Sequence, residues 1–278
     1  MLVVEFVVII FLVSILAGIF GSVVGLGGGV VVIPVLTLFF GVDIHFAIGA
    51  SIIAIIGTSS GAASTYIKDR LTNLRVGMFL ELGTTAGAIV GAALAAYVNS
   101  AALELIFGTI LLITLIPILM KIGEDLPKNP ELKGLSKRLR LTGAYSEPDG
   151  REVHYNATRP KTGLFGMVVA GMLSGMLGIG SGGFKVLSMD LAMKLPMKVS
   201  TTTSNFMIGV TAAASAGIYF ARGDVNPLII APVALGILIG AVIGARVTVK
   251  ARNPTIRKFF AIVLALAAVE MILSAYGI

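Results

Sequence analysis

Residues 25–29 read GLGGG and lie inside a stretch without charge that runs from residue 6 to residue 42. A second stretch, GIGSGG at residues 178–183, repeats the pattern. Each glycine destabilises a helix interior by about 1 kcal/mol relative to alanine, so several together interrupt a helix. The sequence therefore predicts two apolar helices that each break at a glycine-rich motif.

The composition places these breaks in a membrane. Of the 278 residues, 56% are hydrophobic and only 13% are charged, whereas about a quarter of an ordinary soluble domain is charged. Uncharged runs occupy residues 6–42, 82–103, 105–120 and 225–245, and about 20 apolar residues suffice to span a bilayer. We predict a polytopic integral membrane protein whose N-terminal apolar segment is retained rather than removed as a signal peptide.

Several classes of function lack the residues that they need. The chain has no cysteine and two histidines, and neither His45 nor His154 has a histidine or carboxylate partner at metal-ligand spacing. No catalytic triad or phosphate-binding loop is recognisable. We therefore predict no enzyme, no metal site and no cofactor. The net charge of +7 is attributed to membrane topology rather than to nucleic-acid binding.

The two glycine-rich motifs belong to an internal duplication. Gly25 and Gly178 are 153 positions apart, and the same ungapped offset gives 18 identities over the 78 positions from 17 to 94. About 6 identities are expected by chance in so narrow a composition. We predict repeat 1 at residues 1–120, a linker at 121–161 and repeat 2 at residues 162–278.

Each repeat is predicted to contain five membrane segments. They lie at 2–24, 29–41, 46–66, 76–98 and 101–120 in repeat 1, and at 163–177, 183–193, 197–219, 227–249 and 256–276 in repeat 2. The second segment of each repeat is too short to cross a bilayer as a straight helix. It is typical of a broken or re-entrant helix that follows the glycines.

The basic residues predict the orientation, because cytoplasmic loops carry an excess of lysine and arginine. With both termini outside the cytoplasmic membrane and residues 121–161 in the cytoplasm, 19 of the 21 Lys and Arg residues lie on the cytoplasmic side; the exceptions are Arg222 and Lys185. The repeats then cross the membrane in opposite directions. The predicted fold class is an all-α integral membrane protein of two inverted-topology repeats with short re-entrant helices at the glycine-rich motifs.

The linker holds nine Lys or Arg and six Asp or Glu residues. This composition favours a solvated cytoplasmic connector over a regulatory site. Asp149-Gly150, between Tyr145 and residues 153–155, predicts a small hairpin.

Inverted repeats with glycine-broken helices are typical of secondary transporters, whose substrates bind near the midplane where the breaks meet. Broken helices expose backbone amides and a positive dipole end that favour an anion, although glycines also permit close helix packing. The candidate substrate-binding residues of the two motifs are Gly25, Gly27, Gly28, Gly29, Gly178, Gly180, Ser181, Gly182 and Gly183. Ser181 replaces Gly28 and adds a hydroxyl donor.

Other polar candidates lie downstream of the motifs. Ser51 and Ser204 are equivalent by the repeat, and Asn205 follows Ser204. These side chains are predicted to line the site, although such groups more commonly bond to helix carbonyls.

Lys185 stands where repeat 1 has Val32. An intramembrane lysine is a functional candidate because its burial is costly. It is a candidate counter-charge for an anion or a partner of Asp190; the competing interpretation is a lysine that extends to the membrane interface.

Two further sets of residues receive different predictions. The rows Gly83/Gly87/Gly91 and Gly236/Gly240/Gly244 are small-residue faces that we assign to helix packing. Glu81 and Glu270 lie near predicted segment ends, so a proton relay through carboxylates is poorly supported, and the proton remains only a candidate coupling ion.

Three motifs resemble those of the sulfite exporter TauE/SafE family. They are GLGGGVVVIPVL at 25–36, GIGSGGFKVLSMDL at 178–191 and PMKVSTTTSNFMIG at 196–209. The resemblance covers both repeats and leaves out the linker. It implies a transporter of sulfur-containing anions such as sulfite or sulfonates, usually outward across the cytoplasmic membrane. Pro34 has Leu187 as its counterpart, so the two broken helices need not bend alike.

We therefore predict a secondary transporter that exports sulfite or small organosulfonates by alternating access. The alternatives are a passive anion channel and a transporter of another small organic or inorganic anion. The predicted partners are the small anionic substrate and membrane lipid, with no nucleic acid. A membrane-embedded enzyme is disfavoured, because no catalytic constellation is recognisable.

Overall fold

The computed structural model describes residues 3–24, 28–68, 72–120, 132–146, 152–250 and 254–277. Repeat 1 contains α1 (Val3–Val24), α2 (Gly29–Pro34), a π-helical turn (Val35–Phe39), α3 (Ile44–Lys68), α4 (Leu74–Ala95) and α5 (Ser100–Met120). The linker contains α6 (Gly134–Arg138), β1 (Thr142–Ser146) and β2 (Glu152–Asn156). Repeat 2 contains α7 (Pro160–Leu177), α8 (Gly182–Leu187), a π-helical turn (Ser188–Ala192), α9 (Met197–Arg222), α10 (Pro227–Lys250) and α11 (Pro254–Ala275).

The helices have the length and the apolar surface of a membrane protein. Within the described residues, Val4–Ser22, Leu74–Ala95, Met197–Arg222 and Pro227–Gly244 are long and apolar enough to cross a bilayer. Shorter apolar helices occupy Gly29–Phe39, Ile44–Ser60, Ser100–Leu115 and Ala261–Ala275. Large apolar side chains such as Val4, Leu82 and Leu266 are more than half exposed, as expected for a surface that faces lipid. The predicted all-α membrane class is confirmed, with one small hairpin in the linker.

Both short helices fold back along the helix that precedes them. We call Gly29–Phe39 the first re-entrant segment and residues 182–192 the second re-entrant segment. In repeat 1, Gly28 approaches the Ala17 carbonyl, and the rings of Phe40 and Phe6 are 5.3 Å apart. In repeat 2, the Ser188 hydroxyl donates to the Gly163 carbonyl at 3.1 Å. Eleven helical residues extend only about 16 Å, roughly half of the hydrocarbon thickness, so neither segment is long enough to cross the membrane by itself.

The two re-entrant segments have equivalent bounds. Each begins as an α-helix and changes to a π-helical turn, and every boundary of the first segment maps onto the second with the offset of 153. Pro34 is the last residue of α2, and its counterpart Leu187 is the last residue of α8. The proline therefore does not shift the position at which the α-helix gives way to the π-helical turn. The two segments differ instead in the backbone conformation of the residue that precedes each of them. Gly28 has φ −67°, whereas its counterpart Ser181 has the left-handed φ of 44°.

The predicted glycine faces pack helices together. Glycines of α10 lie against carbonyl oxygens of α1 in the order Gly236–Phe11, Gly240–Ile15 and Gly244–Ile19. Glycines of α4 lie against α7 in the order Gly83–Leu164, Gly87–Val168 and Gly91–Met172. A side chain at most of these positions would overlap backbone atoms of the neighbouring helix. The assignment of these rows to packing is confirmed, and the order of the contacts makes the helices of each pair parallel.

Two further helix pairs run in the same direction. Gly49, near the start of α3, meets the backbone of Asp224 before α10, and Gly57 approaches Leu238 within α10. The same relation holds between α4 and α9, where Gly77 meets Thr203 and Glu81 accepts a hydrogen bond from Thr211. Helices α3 and α10 therefore pack parallel to each other, and so do the equivalent helices α9 and α4.

The linker contains the predicted hairpin and is not simply a solvated connector. Strands β1 and β2 pair antiparallel, with Tyr145 opposite Val153; the turn at Asp149-Gly150 lies outside the described residues. Tyr145 and Tyr155 are buried in a cluster with apolar residues of α4, α7 and α9. The Lys198 ammonium lies 5.5 Å from the centre of the Tyr145 ring. The sequence prediction missed this packing because aromatic residues in a highly charged linker do not reveal what covers them.

Candidate functional site

The two glycine-rich motifs meet inside the protein, at the side chain of Ser51. The Ser51 hydroxyl of α3 donates a 2.6 Å hydrogen bond to the Gly178 carbonyl at the end of α7. Gly29 lies against both groups, so an added Cβ would overlap Ser51 Oγ and the Gly178 carbonyl oxygen. The structure therefore brings Gly29 and Ser51 of repeat 1 to the break of repeat 2.

The equivalent serine makes its contact within repeat 2. The buried Ser204 hydroxyl of α9 donates to the Gly182 carbonyl at 3.3 Å. The backbone carbonyl of the next residue, Asn205, accepts a 2.7 Å hydrogen bond from Ser59 of α3. Ser204 thus lies at the start of the second re-entrant segment, and Asn205 lies where α3 crosses α9.

Ser181 combines two unfavourable features. Its backbone is left-handed, with φ 44°, a conformation that costs a non-glycine residue about 1–2 kcal/mol. Its hydroxyl is buried and has no hydrogen-bond partner, and a buried polar group left unsatisfied costs about 1–3 kcal/mol. Such a group is able to donate to a polar ligand without first breaking an internal hydrogen bond.

Lys185 is fully buried, which contradicts the interpretation of a lysine that extends to the membrane interface. Its ammonium donates a 2.7 Å hydrogen bond to the Thr211 hydroxyl of α9. The alternative prediction that Asp190 is its partner is also wrong, because Lys185 bonds to Thr211 and the group beside the Asp190 carboxyl is Ser200. Thr211 in turn donates to Glu81 Oε1 of α4 at 2.8 Å. A positive and a negative side chain are therefore joined through one hydroxyl.

Glu81 is the functional candidate to which the sequence prediction assigned too little weight. It lies near the start of α4, as predicted, but it is only 9% exposed. Its Oε1 also accepts a 3.2 Å hydrogen bond from Thr85, whereas its Oε2 is buried without a partner. The available signal was charge balance, since a buried lysine in one apolar segment requires a negative group from another.

A second acidic group lies at the end of the second re-entrant segment. Asp190 is 8% exposed, and the Ser200 hydroxyl lies beside its carboxyl group. Among the described residues, seven side chains hold a buried polar atom without a hydrogen-bond partner: Ser181, Asp190, Ser200, Glu81, Thr72, Ser136 and Asp224. The first four surround the second re-entrant segment or face Lys185 through Thr211, so four of the seven lie in this part of the molecule.

The positions that correspond to this region by the offset of 153, around the first re-entrant segment, are far less polar. With the offset of 153, Lys185 corresponds to Val32, Glu81 to Ala234 and Ser181 to Gly28. Thr58, the counterpart of Thr211, donates to the Ala54 carbonyl of its own helix at 3.2 Å. Of the two regions related by the offset, only the one around the second re-entrant segment carries buried charges at these positions, with Lys185 from repeat 2 and Glu81 from repeat 1.

The remaining predicted site residues are glycines. Gly28 and Gly180 are buried, with a left-handed φ of 70° at Gly180, and Gly183 is half-buried in the first turn of α8. Gly25 and Gly27 lie outside the described residues.

His45 lies in a separate cluster at the start of α3. Its Nδ1 is 2.9 Å from Asp43 Oδ1, a contact with a carboxylate two residues away that the sequence prediction did not single out. Burial favours the neutral form of Asp43, but hydrogen bonds from Ser100 and His45 outweigh burial and lower the Asp43 pKa below its usual value. Within the described ranges, no three His, Cys, Asp or Glu residues are arranged to hold a metal ion.

Apolar helices, short broken helices and buried charges define this protein as a helical membrane protein. The chain belongs to the sulfite exporter TauE/SafE family, whose model matches residues 10–271. It is 29% identical to "Probable membrane transporter protein YunE" of Bacillus subtilis (strain 168) over 272 residues, 95% of this chain and 97% of that protein. It is 26% identical to "Probable membrane transporter protein YdhB" of the same organism over 244 residues, 86% of this chain and 89% of that protein. No solved structure matches the chain.

Proposed function

We propose that this protein is a secondary transporter that exports sulfite or a small organosulfonate across the cytoplasmic membrane. The observation that carries the proposal is the fully buried ammonium of Lys185, one helical turn after the buried, unpartnered hydroxyl of Ser181. A small oxyanion offers negative charge to the first group and acceptor oxygens to the second. Family membership supports the choice of a sulfur oxyanion.

In this proposal the anion binds where the breaks of the two repeats meet. Lys185 supplies the counter-charge, Ser181 the hydroxyl, and the glycine motifs backbone amides. The predicted residues Ser51, Ser204 and Asn205 form the wall that holds the motifs together, since Ser51 and Ser204 bond to carbonyl groups of the second motif. The Ser51 contact joins the two repeats, so we expect access to the site to require the repeats to move apart.

The inverted arrangement of the repeats is supported by the directions of their helices. Residues 69–73 reach at most about 18 Å, less than the roughly 33 Å length of α4, so α3 and α4, if both cross the membrane, cross it in opposite directions. Because α9 runs parallel to α4, the equivalent helices α3 and α9 point in opposite directions. Opposite repeats around a shared site are the arrangement that alternating access uses.

The proposed orientation places the linker in the cytoplasm. Arg75 donates to the Arg140 carbonyl of the linker, and Lys198 lies over Tyr145 of β1, so both basic residues lie on the linker side. Arg222 instead pairs with Asp224 and approaches the Ala92 carbonyl near the far end of α4. This distribution follows the excess of basic residues that is typical of cytoplasmic loops.

A transport assay in liposomes tests the function. We expect the purified protein to carry sulfite or a small sulfonate with saturable kinetics and to exchange internal for external anion. Lys185→Ala combined with Ser181→Ala should abolish this exchange, because both proposed ligands of the anion are lost. Electrical current above carrier rates without counterflow would indicate the alternative, a passive channel. Transport of carboxylates or phosphonates in place of sulfur anions would indicate a different substrate.

A further inference from the structure

A hydrogen-bonded path joins charged side chains that come from different repeats. Lys185 donates to Thr211 at 2.7 Å, and Thr211 donates to Glu81 at 2.8 Å. The Thr211 hydroxyl also lies 2.8 Å from the Met207 carbonyl of its own helix. Its proton is therefore able to turn from the carboxylate to the backbone without any helix movement.

Only one of the two carboxylate oxygens of Glu81 accepts hydrogen bonds. Oε1 accepts from Thr211 and Thr85, but Oε2 is buried without a partner. An ionised carboxylate with a desolvated, unbonded oxygen is costly unless a positive charge compensates it. In the absence of substrate, Lys185 provides that compensation.

No other charged side chain described on the helices packed against α4 takes this role. Lys161 of α7 is exposed, Lys198 of α9 lies over Tyr145, and Arg222 of α9 pairs with Asp224. On the second re-entrant segment, Asp190 lies beside Ser200. On α4 itself, Arg75 bonds to the linker at Arg140. Lys185 is thus the cation that compensates Glu81.

We propose that Glu81 is an internal counter-ion that the transported anion displaces from Lys185, and that Glu81 binds a proton when this occurs. The inference rests on the proposed function of Lys185 as the anion's counter-charge. An anion at Lys185 and an ionised Glu81 place two negative charges beside one positive charge in a buried region. Uptake of one proton by the Glu81 carboxylate restores neutrality, and the anion and the proton then occupy the protein together.

This linkage makes anion binding dependent on pH. If one proton is taken up with each anion, the apparent affinity falls by up to about tenfold for each unit that the pH rises. The proton and the anion then cross the membrane in the same direction, so export carries one proton out with each anion and is driven by the outward gradient of the anion. Replacement of Glu81 by glutamine mimics the protonated form and removes this dependence.

The experiment measures binding of methanesulfonate, whose charge is constant across the neutral range, to purified protein at several pH values. We expect the affinity of the natural protein to fall as the pH rises. Glu81→Gln should bind the anion with an affinity that no longer depends on pH, and in liposomes it should retain exchange while losing uptake driven by a pH gradient. Lys185→Met should lose binding at every pH. Glu270→Gln is the matched control, because Glu270 is exposed on α11, and it should behave as the natural protein does.

The outcomes separate this inference from the proposed function. If the natural protein binds neither methanesulfonate nor sulfite, the proposed function fails. If it binds methanesulfonate without pH dependence, or if Glu81→Gln keeps the pH dependence, the coupling role of Glu81 is wrong while the transport function stands. Equal loss of binding in folded Glu81→Gln and Lys185→Met overturns the inference in favour of a structural ion pair. Should Glu81→Gln not fold, Glu81→Asp must retain the pH dependence for the inference to hold.

Discussion

At the scale of single residues, buried polar groups distinguish this protein from a simple bundle of apolar helices. Lys185 is fully buried, and its ammonium bonds to the Thr211 hydroxyl. Ser181 is buried in a strained backbone conformation, and its hydroxyl has no hydrogen-bond partner. Folding alone does not favour either feature, since glycine at 181 and an apolar residue at 185 would avoid both costs. Residues that oppose stability are common at functional sites, where a ligand supplies what the folded chain lacks.

Ser181 allows the backbone and the hydroxyl to be tested separately. Ser181→Gly relieves the left-handed backbone and should raise the free energy of unfolding by about 1 kcal/mol, whereas Ser181→Ala keeps the strain. Both variants lose a hydrogen bond to the anion, worth about 1.5–3 kcal/mol when charged, and should bind methanesulfonate roughly ten- to hundredfold more weakly. Thermal unfolding and binding titrations measure the two effects. Natural affinity in both variants would exclude the hydroxyl as a ligand.

At the scale of elements, glycines set the distances between helices. The faces that pair α1 with α10 and α4 with α7 bring backbones together where side chains would collide. In a membrane, where lipid is as apolar as the helices, such close contact is a principal source of helix association. The same small residue that interrupts a helix at residues 178–183 therefore holds neighbouring helices together elsewhere.

Gly87 provides the test of this packing. An added Cβ would overlap the Val168 carbonyl and the Met172 amide of α7, so Gly87→Ala should destabilise the protein by roughly 1–3 kcal/mol. Gly217→Ala is the matched control, because Gly217 lies in α9 with open space around its Cβ position. That control should be neutral or slightly stabilising, since alanine favours a helix. Equal melting temperatures for the two variants would contradict the assigned role of Gly87.

At the scale of the whole molecule, the linker is fastened to both repeats. Asn73 accepts from the Val76 amide at the start of α4 and donates to Tyr155 of the hairpin at 2.9 Å. The backbone N–H of Asn73 donates to the Thr203 hydroxyl of α9. Asn226, its repeat counterpart, accepts from the Leu228 amide at the start of α10. Asn73 thus joins the linker to two helices, whereas its counterpart caps a single helix.

Substitution of the two asparagines separates these roles. Asn226→Ala should lose a helix cap worth about 1 kcal/mol. Asn73→Ala should lose a similar cap and in addition release the hairpin, so that proteases cut residues 142–156 more rapidly. Limited proteolysis with mass spectrometry measures the difference. Identical cleavage of both variants would show that Asn73 does not hold the linker.

The sequence predicted much of the fold because the information is local. Apolar length marks a membrane segment and glycine marks its interruption, so the bounds of the ten predicted segments differ from the observed helices by at most three residues. The offset of 153 predicted which elements are equivalent, including both re-entrant segments. The glycine rows predicted packing faces because their spacing follows the helical turn.

The tertiary structure alone decided which residues meet at the candidate site. Lys185 is 26 positions from Thr211, and Thr211 is 130 positions from Glu81, so no local pattern connects them. Their contact depends on how α4, α9 and the second re-entrant segment are rotated about their axes, which packing fixes. For the same reason the sequence prediction offered Asp190, a near neighbour along the same segment, as one possible partner of Lys185 and did not consider Thr211. The sequence determined where the helices break, and the packing of those helices determined which charge balances the buried lysine.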